Sequence, residues 1–264
     1  MTDHDALLQA VLAAPEDDLP RLVFADFLEE SGHPANVARA QFIRLQIEFA
    51  QESSPYRVEL EKQANELRPM FEDEWDIAKA EHLEFQAIEY YWRGFVDVVK
   101  TGATNFAAVG SRMLAIAPIS DLCLLSSNHT EVWKRALNVP MLGRIPHLKL
   151  RGAVDSLSYT FSQLLLPALV ESLHLTGLRR LTLTSNNLDD ASIVAMISHF
   201  PVASFMPTLT ELNLSGNRIT VAGANALSTG RGLDRLTLLD LRDNRLTADG
   251  IAMLRRRFGE RVVV

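Results

Sequence analysis

With 264 residues, a net charge of −7 and 22% charged residues, the chain has room for one large domain or two modest ones. The acidic balance argues against a general phosphate-backbone binder, which carries a basic excess. One cysteine excludes an internal disulfide framework, and 47% apolar content without a run of membrane-helix length describes an ordinary globular chain. The start, Met1 to Asp5, lacks the basic and apolar regions of a signal peptide, so a reduced, cytoplasmic compartment is expected.

In chain order, the first signals are helical. Leu7, Leu8, Val11 and Leu12 recur at helical spacing over 4–14, and Pro15-Glu16-Asp17-Asp18 ends that helix and caps the next. The second spans 21–30 with Leu22, Val23, Phe24 and Phe27 as its apolar side, and Ser31-Gly32-His33-Pro34 stops it. A third is expected over 36–51 with Phe42, Leu45 and Phe49 inward. A fourth, long and charge-laced, is expected over 56–82 with Leu60, Leu67, Phe71 and Trp75 inward.

Two blocks here carry a resemblance: Arg21-Leu22-Val23-Phe24-Ala25-Asp26-Phe27-Leu28-Glu29-Glu30-Ser31-Gly32, and Arg39-Ala40-Gln41-Phe42-Ile43-Arg44-Leu45-Gln46. Together they resemble the bacterial repeat-companion domain, an N-terminal helical segment that precedes repeats in planctomycete and myxobacterial proteins. The family's usual tyrosine and tryptophan are replaced by Phe24 and Phe27, which keeps bulk but loses polar groups, and its usual glutamate by Gln41, which removes the charge an ion pair there would need. The resemblance implies architecture and no activity. Arg21, Asp26, Glu29, Arg39 and Arg44 admit two readings, a charged acid–base site or ion pairs that lock helices together, and the second is the simpler.

Gly94 to Lys100 alternates with the period of a strand and follows the aromatic group Tyr90, Tyr91 and Trp92. A helix over 105–116 follows. Strand and helix together are expected to cap what comes next.

From Leu178 onward one pattern is written three times: Leu178, Leu181, Leu183, Asn186, Leu188; then Leu209, Leu212, Leu214, Asn217, Ile219; then Leu236, Leu239, Leu241, Asn244, Leu246. The starts are 31 and 27 residues apart. Registered copies of L-x-x-L-x-L-x-x-N-x-L resemble leucine-rich repeats of the long, ribonuclease-inhibitor-like class. Within each copy the leucines alternate inward as a strand, the asparagine satisfies backbone groups at a buried bend, and a helix follows. Thr220 and Thr247 are N-cap residues, with Asp189 or Asp190 in that place earlier. Gly223, Gly250 and Ser192 share one helix position, and Met196, Leu227 and Leu254 share an inward one. Two degenerate copies precede these, Ile145-Leu148-Leu150 with Ala153 for asparagine and Ile119-Leu122-Leu124 with Ser127. The stretch 151–177 is too long for one unit. About five repeats are therefore expected, closed by a last strand within 255–264.

The fold class that follows is α/β: a helical domain over 1–88, then a solenoid over 89–264 with parallel strands on its concave face and helices on its convex face. Its N-terminal cap is expected over 89–118. Residues flanking the inward leucines line up on the concave face, and the expected partner-binding set is His147, Lys149, Arg151, Arg180, Thr182, Thr184, Glu211, Asn213, Ser215, Asp240 and Arg242. Asp121, Cys123, Leu125 and Leu238 complete the rows. Lys149, Arg151 and Arg180 form a basic patch that suits an acidic segment of a protein partner.

No phosphate loop, H-E-x-x-H, C-x-x-C or G-x-S-x-G pattern occurs, and the seven histidines are scattered. Cys123 has no assignable base, and Asp189-Asp190 is explained by capping. The expected function is a non-catalytic protein-interaction module, without cofactor, metal, nucleic acid or membrane. The alternatives are a regulatory or enzymatic helical domain and a self-associating spacer.

Overall fold

The computed structural model describes residues 2–51, 56–71, 88–125, 127, 129–152 and 161–264. The chain gathers into two compact units, Met1–Val99 with Arg112–Ile119, and Lys100–Ser111 with Ser120–Val264.

The first unit begins with four helices: α1 (Asp3–Ala13), α2 (Asp18–Glu30), α3 (Pro34–Gln51) and α4 (Tyr56–Leu67). A capping box opens α1, in which the Thr2 hydroxyl accepts from the Asp5 amide and the Asp5 carboxylate accepts from the Thr2 amide. Asp17 caps α2. α3 begins on Pro34, where the missing N–H has no helical partner to lose.

Val11, Phe24, Leu28, Ile43, Ile47 and Phe95 form one core, and Ala38, Phe42, Ala64 and Phe71 a second. The apolar side of α2 is rotated from the expected one. Residues 21, 24, 25 and 28 face inward at i, i+3, i+4 and i+7 spacing, while Val23 is exposed. That face includes Arg21, which a count of apolar residues passes over. On α3 Ile43 and Ile47 are among the buried residues as well as Phe42, and Leu45 and Phe49 are only half-buried. The fourth helix stops at Leu67, well short of the expected end. A 3-10 turn, Arg68–Met70, follows, with Pro69 unable to donate the next helical bond. Trp75 and the rest of that expected helix lie outside the described residues.

β1 (Ile88–Trp92) and β2 (Phe95–Gly102) pair antiparallel, with Trp92 opposite Phe95. The aromatic group before the expected strand is thus a strand itself. Tyr91 meets Phe42 edge-on at 5.4 Å, and Trp92 meets Phe49 at 6.3 Å. Arg93 and Gly94 make the turn with φ of 48° and 83°. Two successive positive φ values suit a two-residue type I′ hairpin, whose twist matches the strands.

After α5 (Ala103–Ile116), the second unit alternates strand and helix: β3 (Asp121–Leu125), α6 (Thr130–Leu137), β4 (His147–Arg151), α7 (Phe161–Glu171), β5 (Arg180–Thr182), α8 (Asp190–His199), β6 (Glu211–Asn213), α9 (Val221–Thr229), β7 (Leu238–Asp240), α10 (Ala248–Phe258) and β8 (Val262–Val263). From β3 to β8 each strand pairs parallel with the next in chain order. Leu122, Leu148, Leu181, Leu212 and Leu239 are in register, and all are buried. Trp133, Leu169, Met196, Leu227 and Leu254 are buried on the helices. The two degenerate copies therefore join the array as β3 and β4. Ser127 carries part of its turn, its carbonyl accepting the Trp133 indole N–H at 2.9 Å. Ala153 lies outside the described residues.

The asparagines repeat one geometry. Asn186 Nδ2 donates to Leu150 O, Asn217 Nδ2 to Leu183 O and Asn244 Nδ2 to Leu214 O, at 2.8, 3.0 and 2.9 Å. Each amide thus ties its own turn to the preceding repeat. Asn217 Oδ1 also accepts from the amides of Asn186 and Leu188, and Asn244 Oδ1 from that of Ile219, all at 3.0 Å. Just before each asparagine stands a left-handed residue, Ser185, Gly216 or Asp243, with φ of 56°, 67° and 56°.

Asp189, Thr220 and Thr247 are the N-caps of α8, α9 and α10. Asp190 has a different task from the expected alternative cap. Its carboxylate accepts from the Thr220 amide, the Thr220 hydroxyl and the Gly223 amide at 2.8, 2.6 and 2.9 Å, holding the start of the following helix.

Candidate functional site

Because successive side chains on a strand point to opposite sides, burying one leucine set turns the other set outward. The register sorts these outward residues into rows. Asp121, His147, Arg180, Glu211 and Leu238 form one; Cys123, Lys149, Thr182, Asn213 and Asp240 form the next. Leu125 stands opposite Arg151 in a third. Thr184, Ser215 and Arg242 lie just beyond their strands. The ladder brings all of the expected partner-binding residues onto adjoining strands and turns.

Two of them differ from the expected role. Asp240 is only 4% exposed, because Arg242 folds over it and donates to both carboxylate oxygens at 3.0 and 2.6 Å. Arg180 does not extend the basic patch as a free charge, since its Nε meets Glu211 Oε2 at 2.5 Å on the neighbouring strand. The sequence contained the signal for this pair: Arg180 and Glu211 hold the same position in consecutive repeats, so they had to be neighbours about 4.8 Å apart. Cys123 is also buried. Apart from Leu125 and Leu238, the remaining surface is polar. Asn213 Oδ1 accepts from the Ser215 amide and the Thr184 hydroxyl at 2.9 and 3.2 Å, while Lys149 is half-buried and Arg151 exposed.

These pairs set the acid response of the second unit. The Arg180 guanidinium holds the Glu211 carboxyl below its ordinary 4.5, and Arg242 holds Asp240 below 3.8. Both folded values are depressed, so their stabilisation is complete above the ordinary values and is lost as pH falls through the folded ones. The melting temperature should therefore fall between about pH 5 and about pH 3, and the fall should be shallower in Glu211→Gln. An identical acid profile for that variant would assign the transition to other groups.

The charged residues of the helical segment do not all converge on one site. Arg44 bridges Asp26 and Glu29, both at 2.7 Å, on an exposed surface. Arg21 lies over the Phe95 ring at 5.0 Å and donates to Pro15 O at 2.7 Å. Arg39 lies within 5.5 Å of the ring centres of Phe42, Phe71, Tyr91 and Phe95. Burial pushes both guanidinium groups down to about 10, so each stays cationic at neutral pH. A cleft of about 440 Å³ in the first unit is lined by Phe42, Phe49, Tyr91 and Trp92 with Glu61 and Asp97. None of Arg21, Asp26, Glu29, Arg39 and Arg44 lines it. Among the described residues no group of three His, Cys, Asp or Glu is placed to hold a metal ion, and no helix is long and apolar enough to cross a membrane.

Residues 205–228 and 236–254 match the family model described as a leucine-rich repeat. These two segments are similar to leucine-rich repeats. The match covers β6 with most of α9, and β7 with most of α10, together with their turns, and the leucine and asparagine geometry above continues the same pattern upstream. No curated protein matches the chain. A crystal structure of a Bacteroides fragilis protein is similar at 15% identity and a TM-score of 0.43, over 56% of this chain and 41% of that one. The chain thus spans less than half the length of that protein.

Proposed function

We propose that the chain is a non-catalytic protein-interaction module that binds a protein partner on the strand ladder. The leucine-rich repeats support this by fold analogy, since such arrays commonly bind proteins. The observation that carries it is the register, which turns five strands into continuous rows of outward polar side chains with few apolar interruptions. The helical segment, read as a repeat-companion domain, serves as a docking or dimerising element. In support, Arg44, Asp26 and Glu29 are spent on ion pairs that tie α2 to α3, as in a structural element, and not on an acid–base site. The single cysteine, Cys123, suits a reducing compartment, and the proposal puts the chain in the cytoplasm of a bacterium.

A photo-crosslinking residue at Thr182, on the ladder, should capture a partner protein in native lysate, whereas one at Arg256, on the exposed side of α10, should not. Capture from Arg256 alone would move the site to the helices.

A further inference from the structure

The charges of the ladder are in two different states. In the first row the acids Asp121 and Glu211 flank the bases His147 and Arg180, and Arg180 is closed onto Glu211 at 2.5 Å. On β7, Arg242 neutralises Asp240 at 2.6 Å. Lys149 and Arg151 are different. The row neighbours of Lys149 are Cys123 and Thr182, and Leu125 stands opposite Arg151. Among the described residues no carboxylate lies within ion-pair distance of either cation, although the chain as a whole carries a net charge of −7.

These two cations are two residues apart on one strand, so their heads leave the same face about 7 Å apart. An extended peptide repeats its own side chains on one face at that same interval. Arg151 offers a planar fork that a carboxylate can meet with two bonds, and Lys149 a compact point charge. We infer that the ladder takes an extended acidic segment of a protein partner, anchored by two carboxylates at i and i+2 on Lys149 and Arg151. The inference rests on the reading of the ladder as the binding surface and narrows it: Arg180 and Arg242, already neutralised, are bystanders. A nucleic acid fits less well, because stable backbone binding draws on many more cations than two.

The test uses the full chain and fluorescein-labelled Gly-Ser dodecapeptides, read by fluorescence anisotropy at low salt. One peptide carries two aspartates at i and i+2, one carries them at i and i+1, one carries asparagines instead, and an oligothymidylate serves as the polyanion. The i, i+2 peptide should bind about fivefold more tightly than the asparagine peptide, an effect of the size expected for exposed ion pairs. That preference should vanish in Lys149→Gln/Arg151→Gln and persist in Arg180→Gln/Glu211→Gln. Unchanged binding by the first double variant, no advantage of the i, i+2 spacing, or tighter binding of the oligonucleotide than of any peptide would each overturn it. Thr182→Trp separates the two levels, because it crowds the ladder and leaves its charge alone. If Thr182→Trp abolishes binding while Lys149→Gln/Arg151→Gln does not, the acidic anchor falls and the ladder reading stands; if neither variant alters binding, both fall.

Discussion

Asn217→Ala is expected to destabilise the second unit by about 4 kcal/mol. The side chain is only 5% exposed, and its amide serves both sides of the junction between two repeats. Truncation removes the acceptor for the amides of Asn186 and Leu188 and the donor for Leu183 O, all at 3.0 Å. Leu214 O is spared, because Asn244 Nδ2 also donates to it at 2.9 Å. Two buried backbone groups and one half-buried one are thus left without side-chain partners, each buried group worth about 1–3 kcal/mol when unsatisfied. In a unit of this size the melting temperature should drop by about 10 °C. Asn244→Ala should cost roughly half as much, since its side chain is half-exposed and water can replace part of what it gives. Calorimetry of the two variants beside the parent decides the matter. Equal losses would mean that the junctions are held by leucine packing and that the asparagines only follow.

The asparagines also show what the sequence revealed and what it hid. Repetition in register makes strand, turn and helix legible at once, because one copy calibrates the next; Thr220 and Thr247 were readable as caps for that reason. The outward residues were equally legible as positions. Their states were not, since charge state depends on neighbours one repeat away. Arg180 and Glu211 are 31 residues apart in sequence but touch in space. Asp190 reaches 30 residues forward to Thr220 for the same reason. The helical segment has no such internal calibration. There the rotation of α2 escaped because Arg21, buried beside Phe95, breaks the apolar count on its own inward face. The end of α4 was legible in Pro69, which a pattern of charges and leucines alone overrides. The array can therefore be read from its own spacing, and the helices only from their packing.

That difference makes one residue of the first unit a sharper probe than any of its charges. Gly94→Ala should destabilise the first unit by about 4 kcal/mol, from two sources. Gly94 has φ of 83°, a region that costs a side-chain-bearing residue about 1–2 kcal/mol. Its added Cβ would also lie 2.5 Å from Ile43 Cγ1 and 2.6 Å from Ile43 Cα. The second contact is with backbone, so a rotamer change of Ile43 cannot relieve it. Ile43 is wholly buried in the core of Val11, Phe24, Leu28 and Phe95, and moving α3 away would open that core. Gly32→Ala is the internal control: its φ is 67°, yet an added Cβ meets nothing within 4 Å. It should cost only the conformational part, about 1–2 kcal/mol. Urea unfolding followed by tryptophan fluorescence, with Trp92 next to the turn, should place Gly94→Ala well below Gly32→Ala. If the two variants unfold at the same denaturant concentration, the close approach of the hairpin to α3 is not what fixes this unit, and backbone conformation at the turn alone explains the glycine.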